Sequence, residues 1–578
     1  MRRFSDALEC FARSLALRPN HAETLLNQAN TLAALRRPAD AIAAYQRALA
    51  IRPDAAALVV LGNMLRGLGR NADALAAYDR ALALAPTHAD ALQARCHLLM
   101  NDSRYVEAIA TAERALALDA NANYMVGHIL HAKAHICDWS DRAELEARLH
   151  VGLAEKRKVC PPFALIAIDS TPAEQLTAAQ TWIEDLYPPA RNPCRHAAPH
   201  DRERLRIGYM SGEYRTHAVS FLMAELFELH DRTRVEVVGI GTGIDDRSAI
   251  RRRIDRAFDE FIDASALNDD EAARALTEKK IDILVDLNGH YGRARPGILA
   301  RRPAPIQVSY IGFPGTSGAP YVDYLVADRW VIPVDAQRHY SESIVYLPDS
   351  YWVNDRQCAI AEHTPSRSEV GLPERAFVFC CFNNTHKITP AMFDVWMEIL
   401  REVEDSVLWL FAANPAVANN LRHEAEQRGV GRDRLVFAPM MALPDHLARH
   451  RLADLCLDTL PHNAHTTASN ALWAGLPVLT WIGDTFAGRV GASLLDAIGL
   501  ADMIVDTPEA YRSAAVRLAR DPDALRAIRE QLAANRATDP LFDTPRFARH
   551  IESAYAQMWR RHKEGQPPAG FSVEPLST

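Results

Sequence analysis

The residues of this chain best suited to chemistry are those that can meet negative charge or handle a proton. Lys387 ends the run Phe382-Asn383-Asn384-Thr385-His386-Lys387, just beyond an apolar stretch. A compact ammonium there can neutralise phosphate charge. A lysine taken alone is ordinarily a solvated surface group, and only a place in a cleft loop gives it a chemical role. His465, Thr466 and Thr467 close the run DTLPHNAHTT at 458–467 and precede a helical stretch at 468–474. Threonine is a good helix cap and free amides at a helix N-terminus bind phosphate, so the run fits both roles. His217 follows an apolar run at 205–210. An imidazole there can accept a hydroxyl proton near neutral pH or hold two substrates in register, although Arg215-Thr216-His217 by itself reads as a surface loop. A glycine-rich run, GFPGTSG, lies at 312–318.

No metal site is expected. Asp521-Pro522-Asp523 lies among C-terminal helices, away from any strand end. His131 with His135 and His446 with His450 have the spacing of one helical turn, but neither pair has a third ligand. Cys380 and Cys381 fall on opposite faces of a buried strand and read as core.

The elements that must position these residues fall into two kinds. Arg13-Ser14-Leu15-Ala16, Arg47-Ala48-Leu49-Ala50, Arg80-Ala81-Leu82-Ala83 and Arg114-Ala115-Leu116-Ala117 recur at steps of 34, 33 and 34 residues, the tetratricopeptide period. Pro19, Pro53 and Pro86 follow the second helix of a repeat and stop it. Residues 1–121 are therefore expected to be a helical binding solenoid. The first copy lacks its first helix, which leaves room for a solenoid extending upstream. From 122 to 203 the periodicity dissolves into a helical docking segment and linker ending in Pro188-Pro189, Pro193 and Pro199.

Branched apolar runs then begin, at 205–210, 235–240, 281–287, 306–311, 324–326 and 344–346. A second series follows at 376–382, 407–411, 435–437, 455–458, 477–481 and 503–505. Such runs separated by helical patterns imply parallel sheets covered on both faces. Two consecutive doubly wound, Rossmann-like lobes, 204–362 and 363–578, place a ligand cleft between them, the architecture called GT-B. The helical stretch at 546–561 is long enough to cross back onto the first lobe.

Composition excludes other classes. With 578 residues, 48% of them hydrophobic, the chain is long enough for several domains with cores of their own. A formal net charge of −8 gives no basic field for nucleic acid or anionic membranes. Neither a signal peptide nor a membrane span is legible, and nine cysteines without a CxxC pair read as free thiols in the cytoplasm.

RPAPIQVSYIGFPGTSG (302–318), SVLWLF (406–411), LADLCLDT (452–459) and HTT followed by LWAG (472–475), placed behind the repeats, resemble the signature stretches of the protein O-linked N-acetylglucosamine transferases. The resemblance covers nearly the whole chain and is strongest over 204–560. It implies an inverting glycosyltransferase that moves N-acetylglucosamine from UDP-GlcNAc to Ser or Thr hydroxyls, with no metal or other cofactor and no enzyme nucleophile. The expected partners are the UDP-sugar donor and protein or peptide acceptors held by the repeats. The resemblance gives Lys387 the leaving diphosphate and His217 a place in the active site. Glu213 is counted with them as a catalytic candidate and stands where the family carries an aspartate. Asn384, Gly315, Thr316, His465, Thr466 and Thr467 fall to the nucleotide sugar, and His446 and Arg449 to its base side. Asn470 replaces a ribose-binding aspartate, Leu443 a ribose-side lysine, and Phe221 a histidine beside the donor. Of the asparagines lining the family's solenoid groove Asn27 fits, with Val60 and Ala94 at the next places. These departures keep two alternatives in view: another nucleotide sugar such as GDP-fucose, and a repeat scaffold with an inactive transferase body. A nucleotide-sugar epimerase would share the two lobes but leave the solenoid unexplained.

Overall fold

The computed structural model describes residues 2–35, 37–196, 202–412 and 414–576, and Pro199 of the expected linker lies outside them. The chain forms two compact units, Met1–Lys133 with Asp141–Leu149, and Ala134–Ser140 with His150–Thr578.

In the first unit, helices Arg2–Leu17, Ala22–Ala34, Pro38–Ile51, Ala55–Gly67, Asn71–Leu84, Ala89–Asn101 and Tyr105–Leu118 follow the repeat. The helices that end at Leu17, Ile51 and Leu84 stop two residues before Pro19, Pro53 and Pro86. The residue before each proline is sterically pushed out of the helical region. Within a repeat the pairing is close. A Cβ on Gly62 would lie 2.4 Å from the Tyr78 ring, and the Tyr78 hydroxyl donates to Asn63 Oδ1 at 2.7 Å. Tyr45 donates to Asn30 at the equivalent place one repeat earlier.

The second unit holds two parallel sheets. The first contains β1 (Leu205–Ser211), β2 (Val235–Gly241), β3 (Glu260–Asp263), β4 (Ile283–Asp286), β5 (Ile306–Ser309), β6 (Tyr324–Ala327), β7 (Ser343–Tyr346) and β14 (Phe571–Ser572), in the order β14-β7-β6-β5-β4-β1-β2-β3. The second contains β8 (Phe377–Cys381), β9 (Ser406–Phe411), β10 (Leu435–Ala438), β11 (Leu455–Leu457), β12 (Val478–Trp481) and β13 (Ile504–Val505), in the order β10-β9-β8-β11-β12-β13. Central strands such as β4 are buried along their whole length, as sheets covered on both faces require. In each sheet the order reverses beside the first strand, between β1 and β4 and between β8 and β11. Ligands of doubly wound sheets bind at such reversals, beyond the carboxyl ends of the strands.

Two strands were not legible in the sequence. β3 reads Glu-Phe-Ile-Asp, an edge strand with charged ends, and β14 is two residues long. β14 reaches the first sheet because helix Thr544–Lys563 crosses back and packs on helix Ala218–Leu229. A buried polar chain anchors this crossing: Tyr209 Oη lies 3.0 Å from Tyr555 Oη and 2.9 Å from His230 Nε2, and His230 Nδ1 lies 2.9 Å from Glu552 Oε1.

Candidate functional site

At the β8/β11 reversal, a single 3₁₀ turn, Thr385–Lys387, carries Lys387 into the interior. The residue is 9% exposed, and its ammonium donates to the Asn463 carbonyl at 2.7 Å. Burial pushes its pKa down to about 8, against the opposing pull of Asp458. Asp458 directly follows β11 and is itself buried, which raises its pKa to about 6. Its carboxylate accepts from the Thr480 hydroxyl at 2.6 Å and from the amides of Thr459 and Ala464. These bonds fix the 458–464 loop, and Asn463 completes it by donating to the Thr459 carbonyl at 2.7 Å.

Helix Thr466–Trp473 starts directly after this loop. Its N-cap is His465, which makes no side-chain capping bond, so Thr466 and Thr467 stand in the first turn and do not cap it. The amides of that turn are left without an intrahelical acceptor, as at any helix N-terminus. The His465 ring lies 3.1 Å from the Ala487 carbonyl, and burial together with the positive charge of Lys387 holds its pKa well below the ordinary range. Asn470 is half-buried one turn further along. Asn384 is exposed, and its carbonyl accepts the Lys387 amide at 3.0 Å.

Beside β8, Arg449 is buried with its guanidinium 4.5 Å over the Phe382 ring. It donates to the Pro439 carbonyl at 2.7 Å, while Nε is buried without a hydrogen-bond partner. Burial lowers its pKa to about 10, so it remains a cation at neutral pH. His446 is neutral, its pKa pushed to about 2 by burial and the neighbouring His450 and Arg449, and its Nδ1 is also buried and unpartnered. Buried polar atoms left without partners in a folded protein call for an explanation, and a bound ligand or water that completes the bonding is one. The His446/His450 pair is not a chelate: His450 Nδ1 turns to the His446 carbonyl at 2.7 Å.

At the β1/β4 reversal, His217 caps helix Ala218–Leu229 by accepting the Val219 amide on Nδ1 at 3.3 Å. With that nitrogen used as an acceptor, the ring proton sits on Nε2. Burial depresses its pKa, partly offset by Glu213. Glu213 is 1% exposed, and both carboxylate oxygens are engaged, one by the Arg293 amide at 2.9 Å and the other by the Arg215 guanidinium at 2.7 Å. Gly292 lies against it with φ +61°, where a Cβ would sit 2.4 Å from the Glu213 carboxylate. The carboxylate thus orders the 289–293 loop beside His217, whose ring lies 5.8 Å from Tyr291.

The glycine-rich run is placed differently from the other candidates. Gly315 is buried against the Phe313 ring. The Thr316 hydroxyl donates to Glu342 at 2.7 Å and accepts the Ser341 amide at 3.1 Å, so its bonding capacity is spent within the first lobe.

Sequence reasoning passed over Asp458 and Asn463, which stand beside Lys387, and Asp286 and His290, at and just past the end of β4. Asp286 is buried with its pKa raised to about 6. His290 has a pKa of about 4 and leaves Nδ1 unpartnered. The available signal was position, since each lies at or just past the end of a strand beside a reversal. Asp521 and Asp523 serve the helices instead, Asp521 capping the Ala524 amide at 3.0 Å and Asp523 pairing with Arg526 at 2.7 Å.

Comparison with known proteins agrees with this arrangement. The profile of glycosyl transferase family 41 matches residues 187–365 and 357–551, and tetratricopeptide profiles match 1–56 and 55–88. The probable UDP-N-acetylglucosamine–peptide N-acetylglucosaminyltransferase SEC of Arabidopsis thaliana is 38% identical over 77% of this chain and 48% of its own length. The UDP-N-acetylglucosamine–peptide N-acetylglucosaminyltransferase of Caenorhabditis elegans is 28% identical over 63% of this chain and 41% of its own. The chain therefore spans about half the length of these curated relatives. A solved mutant of the Thermobaculum terrenum O-GlcNAc transferase superposes with a TM-score of 0.69 at 29% identity, covering 94% of this chain and 98% of that one. With family matches running across both parallel sheets and the repeats in front of them, the chain belongs to glycosyl transferase family 41.

Proposed function

We propose that the protein is an inverting glycosyltransferase that moves N-acetylglucosamine from UDP-GlcNAc to Ser or Thr hydroxyls of proteins presented by its repeats. The observation that carries the reading is the buried Lys387 ammonium set beside the open N-terminus of helix Thr466–Trp473 at a sheet reversal. A diphosphate leaving group gains negative charge as the glycosidic bond breaks, and prearranged cations and amides stabilise that charge where it develops. The names of the relatives support the donor and the peptide acceptor.

In this reading Asp458 and Asn463 hold Lys387, and His465, Thr466 and Thr467 present the helix amides to the diphosphate. Arg449 and His446 meet the uracil with their unpartnered nitrogens, while Asn384 and Asn470 flank the sugar–ribose side. His217 offers the proton on Nε2, which suits holding a donor or acceptor oxygen in register and not removing its proton. Glu213 keeps His217's surroundings in order, and Gly315 and Thr316 shape the first-lobe wall.

No divalent cation is required in this scheme, because Lys387 and the helix terminus supply the positive charge. Among the described residues no group of three or more His, Cys, Asp or Glu is placed to hold a metal ion. Also among the described residues, no helix is long and apolar enough to cross a membrane. We place the enzyme in the cytoplasm on its free thiols.

Incubation of the protein with radiolabelled UDP-GlcNAc and a cell lysate, with and without EDTA, tests the reading. EDTA-resistant, base-labile label on protein is the expected outcome. Label from a GDP-sugar alone would transfer the site to the second donor class, for which Leu443 and Asn470 are the motivating departures.

A further inference from the structure

Helix Pro162–Leu165 belongs to neither sheet, yet its Phe163 sits among the loops that carry the candidate residues of both. The Phe163 ring lies 4.8 Å from Tyr291, the neighbour of His217. It also lies 6.0 Å from His386, which immediately precedes Lys387. Ile166, one turn on and 1% exposed, forms a small apolar cluster with Phe313 of the first lobe and Ala487 of the second, and Phe163 packs against it. Ala487 is the residue whose carbonyl meets the His465 ring, and Phe313 stacks edge-on against His290 at 5.0 Å. A separate stretch, 134–140, is held to the second lobe by hydrogen bonds: Thr385 Oγ1 donates to the His135 carbonyl at 2.7 Å, and Asn420 Nδ2 to the Ile136 carbonyl at 2.8 Å.

We infer that Phe163, supported by Ile166, is a positioning residue: a wedge that sets the spacing between the first-lobe 289–293 loop, whose Tyr291 lies beside His217, and the second-lobe loops bearing Lys387 and His465. The inference rests on the transferase reading for its kinetic consequence but not for its structural one. Phe163 links the two halves of the site through its ring contacts with Tyr291 and His386 and through the buried Ile166, Phe313 and Ala487 cluster it packs against. A displacement of about 1 Å between reacting groups costs on the order of a hundredfold in rate, so loosening the wedge acts on turnover before it acts on nucleotide affinity.

The test compares Phe163→Ala, Phe163→Leu and, as a control of pure stability loss, Leu532→Ala, a core truncation in the outlying helix Pro522–Asn535. Amide hydrogen exchange of peptides covering 288–293 and 383–388 reads the geometry without substrate. Phe163→Ala is expected to speed exchange in both peptides together, Phe163→Leu to restore most of the protection, and Leu532→Ala to leave both unchanged. With saturating UDP-GlcNAc and acceptor, kcat of Phe163→Ala should fall about tenfold or more while the Kd for UDP, measured by calorimetry, stays within about fivefold. Unchanged exchange in either peptide overturns the wedge, as does a Leu532→Ala variant that loses turnover equally. If the parent protein itself fails to transfer from UDP-GlcNAc, the transferase reading falls and the exchange result alone decides the wedge. Should Phe163→Ala not fold, Phe163→Leu with Ile166→Val supplies the same comparison at smaller amplitude.

Discussion

Lys387 concentrates the residue-level argument. Its ammonium is taken from water and compensated by one carbonyl and by the nearby Asp458, which leaves its pKa near 8. A bound diphosphate favours the charged form, so binding at pH above 8 must take up a proton. The affinity for UDP is therefore expected to fall as pH rises from 7 to 9, the range that brackets the Lys387 pKa of about 8. Calorimetry in buffers of different ionisation enthalpy should show the uptake, and Lys387→Ala should abolish it. The same substitution is expected to keep the fold and lower turnover at saturating donor about a hundredfold, roughly 3 kcal/mol, the scale of a missing oxyanion donor. Turnover within a few-fold of the parent would remove Lys387 from the leaving-group role. His217→Ala should impair transfer more than UDP affinity, because its candidate contacts lie on the opposite lobe from the nucleotide. A large loss of UDP affinity with saturated turnover intact would move it to the nucleotide subsite. These two residues were legible in the sequence because each directly follows an apolar strand. Asp458 and Asn463 were not singled out, because a buried acid and an amide inside a loop look like ordinary turn residues until their partners are known.

Elements explain why the sites are reproducible. Each sheet reverses beside its first strand, and that rule places the loop after β1 and the loop after β8 at the two reversals. In the repeats, register depends on a helix meeting the next without a gap. Gly62→Ala forces a methyl into the Tyr78 ring, where a Cβ would lie 2.4 Å from it. Overpacking of this kind typically costs about 1–3 kcal/mol. Thermal unfolding should show a lower transition for the repeats, while UDP affinity stays unchanged because repeat stability is set between neighbours. A matching loss of UDP affinity would show that strain in this repeat reaches the nucleotide site.

At the scale of the whole molecule, all candidate donor contacts lie in the unit formed by Ala134–Ser140 and His150–Thr578. Deletion of residues 1–121 is thus expected to leave UDP affinity nearly unchanged, while transfer to long or folded protein acceptors falls much more than donor hydrolysis. A soluble, monodisperse product is the precondition, since removing the stack exposes apolar surface. Equal rates of protein glycosylation by the deletion product and the full chain would leave the repeats a docking role and take the acceptor role from them.

The sequence by itself determined the solenoid period, the branched runs that became most of the strands, the two-lobed plan and the strand-end placement of His217 and Lys387. These are local patterns, encoded within a helical turn, a pleat or a repeat step. Only the tertiary structure decided that Thr316 spends its hydroxyl on Glu342, that His465 and not a threonine stands at the N-cap position of its helix, that β14 returns to the first sheet, and that Phe163 stands between the lobes. Each of those depends on partners far apart in the chain, as Lys387 and Asn463 are at 76 residues. Spacing along a sequence cannot name such partners, because the sheet order that brings them together is fixed by packing of the whole unit.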